Sequence, residues 1–202
     1  QGAVNTGSGS TVVMENVDIT DAGVNGIFGA ADSLWLSNIT VDASGFSGQQ
    51  SGTAVAQTGS SSSGTSIYAY NVDMNNYVAA MTTHATDSLH LEGLDSTADS
   101  NGYFIAPAGA SSPTIGDTGW TMDGMAADGG LTMSRTQPSS MDNIDLGGVL
   151  SLSGSAPATD RMSGSTVSAE GLTINGCGWN IAMDDVSLGD GSSDTWISAN
   201  CA

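Results

Sequence analysis

One short pattern, apolar-x-apolar-x-[Asn/Gly/Asp]-apolar-x-apolar, recurs along this chain and constrains its fold more than any other feature. Its copies centre on Met14-Glu15-Asn16-Val17, Leu36-Ser37-Asn38-Ile39, Ala69-Tyr70-Asn71-Val72, Leu91-Glu92-Gly93-Leu94, Met122-Asp123-Gly124-Met125, Met141-Asp142-Asn143-Ile144, Ala169-Glu170-Gly171-Leu172 and Met183-Asp184-Asp185-Val186. A weaker copy follows at Ile197-Ser198-Ala199-Asn200-Cys201.

Before the small polar residue, apolar side chains fall two apart, as in Val12 and Met14 or Leu34 and Leu36, which is strand periodicity. After it they are again two apart, as in Val17 and Ile19, but the step across the junction is three. In a flat strand that slip would send the second pair to the opposite face. A corner at the small residue lets both pairs point inward, and Asn, Gly and Asp are the types that tolerate the left-handed backbone such a corner needs. The pattern therefore predicts a corner ladder of Asn16, Asn38, Asn71, Gly93, Gly124, Asn143, Gly171 and Asp185. Ser139 is the one clear polar residue at a leading apolar position.

The copies recur at uneven intervals, short from Met14 to Leu36 and from Ala69 to Leu91, longer from Leu36 to Ala69 and from Leu91 to Met122. A constant motif at variable period fits a solenoid whose coils stack one strand face while loops of different length leave the others. The step from Ala169 to Met183 is the shortest and falls short of a full coil. The Met183 copy is accordingly read as a second strand within one coil, since Ala169 to Ile197 is the same step along the chain as Met141 to Ala169. With its corner Asn residues the chain resembles the right-handed parallel β-helix proteins, the pectin-lyase-like group, over nearly its whole length. The resemblance implies an all-β, right-handed parallel β-helix (β-solenoid) of about seven to eight irregular coils. At about 4.8 Å per coil, this is a rod on the order of 40 Å long.

The 202 residues are read as a single β-helix domain, 1–202, with 1–10 a flexible or strand-donating segment and Gly59-Ser60-Ser61-Ser62-Ser63-Gly64 a loop. No apolar run approaches the length of a membrane span. Eighteen Asp and three Glu face two Arg and no Lys, a net charge of −19. That excludes nucleic acid, which needs clustered cations, and repels anionic membranes and acidic polysaccharides. Self-repulsion of this size suits high ionic strength or bound divalent cations, so a saline extracellular setting is expected. The opening Gln1 fits a mature secreted chain. Cys177 and Cys201, the two cysteines, are expected to form a disulfide, worth about 3 kcal/mol in the chain-entropy model. In the register that sets Ile197 against Ala169, Cys201 falls against Thr173, so the bond requires a turn at Asn175-Gly176.

Chemistry-bearing constellations are few. The lyases, polygalacturonases and epimerases of the resembled group imply a cationic side chain and often Ca²⁺, yet the cations here are Arg135 and Arg161, with His84 and His90 the imidazoles. Glycoside hydrolysis needs two carboxylates about 5 to 9.5 Å apart. Asp184 and Asp185, with Asp142 and Asp123 on neighbouring coils, are the pairs to consider, but Asp185 is accounted for as a corner, and no catalytic residue is assigned. The acidic turn containing Asp184, Asp185, Asp190 and Asp194 is the best metal candidate, for Ca²⁺, since flexible glycines there let several carboxylate oxygens converge. His90 takes an outward strand position, as do Trp35 and Tyr70, whereas Trp120 takes an inward one.

These readings lead to a non-catalytic extracellular structural protein, a self-assembling subunit of a filament, appendage or surface layer that packs end to end or side by side. The alternative is a carbohydrate-active or carbohydrate-binding β-helix for neutral glycans, using an Asp pair and outward aromatics.

Overall fold

The computed structural model describes residues 2–58, 65–107, 120–134, 139–153, 159–163, 166–167, 172–175, 180–184, 186–188 and 197–200. The strands are β1 (Gly2–Thr6), β2 (Thr11–Thr20), β3 (Asn25–Gly29), β4 (Ser33–Asp42), β5 (Gln50–Gln57), β6 (Thr65–Asn75) and β7 (Tyr77–Thr97). They continue with β8 (Tyr103–Pro107), β9 (Trp120–Asp123), β10 (Ala126–Ala127), β11 (Leu131–Ser134), β12 (Ser139–Asp142), β13 (Asp145–Leu146) and β14 (Leu150–Ser153). Last come β15 (Thr159–Ser163), β16 (Thr166–Val167), β17 (Leu172–Asn175), β18 (Asn180–Asp184), β19 (Ser187–Leu188) and β20 (Ile197–Asn200). No helix occurs among the described residues.

Every pairing among the described strands is parallel, and the strands fall into two ladders that the chain visits in alternation. One runs β1, β3, β5, the start of β7, β8, β11, β14, β17 and β20. The other runs β2, β4, β6 and the rest of β7, then the split pairs β9/β10, β12/β13, β15/β16 and β18/β19. Parallel neighbours normally need a long crossover, commonly a helix. Here the crossover out of each ladder is a strand of the other, an arrangement of stacked parallel sheets compatible with a β-solenoid.

The phase slip acts at the corner. Asn16, Asn38, Asn71 and Asn143 have φ of 54°, 52°, 53° and 54°, and Gly93 and Gly124 have 63° and 62°. Leu34 and Leu36 before the corner and Ile39 and Val41 after it are all buried, and Ile67, Ala69, Val72 and Met74 repeat this one rung on. In the other ladder Ile27, Val55, Met81, Tyr103, Leu131, Leu150 and Leu172 form a second inward row. The two rows meet in one apolar core. Each such side chain withdrawn from water contributes about 1.5–3 kcal/mol, which is what holds the alternating path together.

The last coils differ from the expected register. Met162 pairs with Met141 on one side and Met183 on the other, so these three methionines are successive rungs, and Met183 sits in the same row as Met141 rather than on a second strand of one coil. Leu172, expected to follow a corner at Gly171, instead opens β17 in the other ladder against Leu150. Between β17 and β20, Thr173 faces Ser198 and Leu172 faces Ile197, so the expected register of Ile197 against Ala169 and of Cys201 against Thr173 does not hold. The physical reason is that Ser163, Thr166 and neighbours are small and polar, so the true rung lacks the apolar signature that the Ala169 segment mimics. At the other end of the chain, Gly2–Thr6 within the 1–10 segment is a strand paired in register with β3.

A candidate binding groove on the outer face

Residues alternate in and out along each strand, so parallel register turns every outward position into a row along the stack. On the face before the corner, one row reads Val13, Trp35, Tyr68, His90, Thr121, Ser140. The adjacent row reads Glu15, Ser37, Tyr70, Glu92, Asp123, Asp142. A groove of about 220 Å³ runs between them across four rungs, walled by Val13, Trp35, Tyr68 and His90 on one side and Glu15, Ser37 and Tyr70 on the other, above Met14, Leu36 and Ala69.

This groove is apolar where an outer surface should be polar. Val13, Trp35 and Tyr70 keep 61%, 45% and 52% of their surface exposed, although single scattered apolar residues, not a contiguous strip, are the norm for a surface. The Trp35 and Tyr68 rings stack with centroids 4.0 Å apart and planes 15° from parallel, and the Trp35 indole N–H donates to Ser33 Oγ at 2.8 Å. Stacking and hydrogen bond together order this wall before any ligand arrives. His90 closes one end: its Nδ1 makes a short hydrogen bond with Thr121 Oγ1, and its Nε2 lies 3.6 Å from Glu92 Oε2. Val13 and Tyr68 are wall residues that the sequence reading passed over, although Tyr68 has the same outward parity as Tyr70 two positions later.

Other candidate residues have structural duties. Asn38 Nδ2 donates to Asn16 Oδ1 at 3.1 Å, and Asn71 Nδ2 donates to Asn38 Oδ1 at 2.9 Å. Gly93 and then Gly124 interrupt that ladder, and Asn143 Nδ2 donates instead to Asp123 Oδ1 at 2.8 Å. Asp123 and Asp142 are register neighbours, as a carboxylate pair would need, but Asp142 also accepts from Ser140 Oγ at 2.8 Å. Asp184 is exposed two rungs beyond Asp142. Gly171, Asp185, Asp190, Asp194, Cys177 and Cys201 lie outside the described residues, so the Ca²⁺ and disulfide expectations are not addressed there. Among the described residues no group of three acidic, His or Cys side chains is arranged to hold a metal ion.

Buried titratable groups serve the turns. Asp99 is buried and its Oδ1 accepts from the Gly102 and Gly129 N–H groups at 2.7 and 2.8 Å, joining two successive turns. Burial pushes its carboxyl above the usual range, against hydrogen bonds from Ser96, Gly129 and Gly102, while the nearby Asp128 charge pushes the same way as burial. Asp42 lies below the usual range because the Ser44 N–H and hydroxyl both donate to it. Tyr77 is pushed up to about 12, chiefly by burial, and donates to the Ala22 carbonyl at 2.8 Å. His84 lies in a second, more polar cavity in the other ladder, with its ring 5.5 Å from that of Phe104. No family model, curated protein or solved structure matches this chain.

Proposed function

We propose that this chain is a secreted right-handed parallel β-helix of seven to eight coils that works without catalysis, by presenting its groove to neutral glycans. The observation carrying this reading is the contiguous strip of Val13, Trp35, Tyr68 and Tyr70 on an outer face, ordered by ring stacking and bordered by hydrogen-bonding groups on Glu15, Ser37 and His90. A pyranose presents apolar C–H faces and a rim of hydroxyls, the same mixture in the same order. Over Leu36 and Ala69 the groove floor belongs to strands whose backbone groups are already engaged on both sides, β4 between β2 and β6 and β6 between β4 and β7, so recognition there falls to side chains. The test is an array of neutral oligosaccharides probed with the wild type, Trp35→Ala and Tyr70→Ala. Capture by the wild type and loss in both variants, with unchanged circular dichroism, is the expected result. Failure of every neutral glycan to bind overturns the reading.

The second reading is the self-assembling structural subunit, for which the same exposed strip would be a lateral contact between two copies. It is favoured by the exposure of Val13, Trp35 and Tyr70 on successive rungs of one face. Light scattering across salt concentrations separates the two: a mass that stays monomeric in high salt removes it.

A further inference from the structure

We infer that the preferred occupant of the groove is a glycan carrying free amino groups, a polymer of deacetylated amino sugars, rather than a fully neutral one. The inference rests on the glycan-binding reading above and adds the charge of the ligand. Two carboxylates stand beside the aromatic wall, Glu15 in the groove lining and Glu92 at its closed end, three rungs or roughly 14 Å apart at the usual strand spacing. Asp123 and Asp142 continue that row. The chain as a whole has two cationic side chains against twenty-one acidic ones. A surface of one sign concentrates the opposite charge in solution, and an aromatic wall beside carboxylates is a surface on which an ammonium gains from both. Uronate polymers are repelled by the same field. A basic peptide shares the charge, but the groove crosses the strands, and the unpaired edge of β2 runs across its end rather than along it, so a peptide main chain finds no free edge to follow through the groove.

The test measures affinity at low salt for three tetrasaccharides of equal length: a glucosamine oligomer, its fully N-acetylated counterpart, and a uronate oligomer. A lysine tetrapeptide serves as a fourth probe. The amine-bearing sugar is expected to bind about fivefold to tenfold more tightly than the acetylated one, as two exposed charge contacts provide, with the gap closing in roughly 1 M salt. Glu15→Gln combined with Glu92→Gln should bring the affinities of the two sugars together, and Trp35→Ala should weaken both sugars. Equal affinity for the two sugars overturns this inference and leaves the glycan reading standing. Binding of neither overturns both. Tight binding of the lysine peptide, or an amine preference that survives the double Glu substitution, shows diffuse attraction to an acidic surface and also overturns the inference.

Discussion

Asn71 donates its side-chain amide to the side-chain carbonyl of Asn38, one rung away, and both residues hold left-handed backbone at φ of 53° and 52°. One residue type thus turns the chain and ties the turn to its neighbour. Asn38→Ala removes both ladder bonds and places a residue with no compensating polar group in the left-handed region. We expect a loss of about 2 kcal/mol, roughly 4–8 °C in melting temperature for a chain of this size. Asn38→Gly restores the backbone freedom alone and should recover about half of that loss. Thermal melts of the three proteins check it.

Glycines at positive φ divide by what a side chain would meet. A Cβ on Gly93 has nothing closer than 3.8 Å, whereas one on Gly102 would lie 1.9 Å from the Gly130 carbonyl oxygen. Gly93→Asn should therefore change stability by no more than about 0.5 kcal/mol, since Asn suits the conformation and fills open space. Gly102→Ala should cost about 3 kcal/mol or more, because backbone cannot yield as a side chain tip can. Denaturant melts of both variants decide it.

Asp99 carries the pH dependence. Its carboxyl titrates above the ordinary carboxylate value of 3.8, so the folded state holds the proton more tightly than the unfolded chain. The resulting stabilisation is complete below 3.8 and is lost as pH rises through the raised value. Asp99→Asn keeps an acceptor for Gly102 and Gly129 and carries no charge. It should match or exceed the wild type's melting temperature at neutral pH, and the difference should shift in the wild type's favour as pH falls below the raised value. A pH series of melts on both proteins tests the sign.

The row after the corner carries Asp18, Asp73, Asp95 and Asp145 with two neutral spacers, Thr40 and Ala126. Repulsion along it, added to a net charge of −19, should lower stability at low ionic strength. Raising salt from about 10 mM to about 1 M shortens the screening length from roughly 30 Å to roughly 3 Å, so the melting temperature should rise by several degrees and then level off. A melt insensitive to salt would show that the row is too well solvated to matter.

The corner was legible because the left-handed region accepts few residue types, so Asn16, Asn38, Asn71 and Asn143 announce it in composition as well as spacing. The true rung at Met162 was not legible by apolar pattern, since in the sequence Ser165 stands where the motif expects an apolar residue, as Ile144 does after Met141. The even spacing of Met141, Met162 and Met183 was the available signal. Outward Trp35 and Tyr70 followed from strand parity. The groove did not, because it depends on which outward residues share a rung, and loops of unequal length hide that register until the strands are paired. Stacking of Trp35 on Tyr68, with the whole of β5 between them in sequence, is the clearest case.

Hydroxyl-radical footprinting with a bound neutral oligosaccharide tests the central claim most directly, because it reads side-chain exposure at Trp, Tyr, Met and His. The account predicts protection of Met14, Trp35, Tyr68, Tyr70 and His90 together, residues from four separate strands that meet only in the groove. Protection confined to His84 and Phe104 in the other ladder, or no protection at saturating glycan, would contradict it.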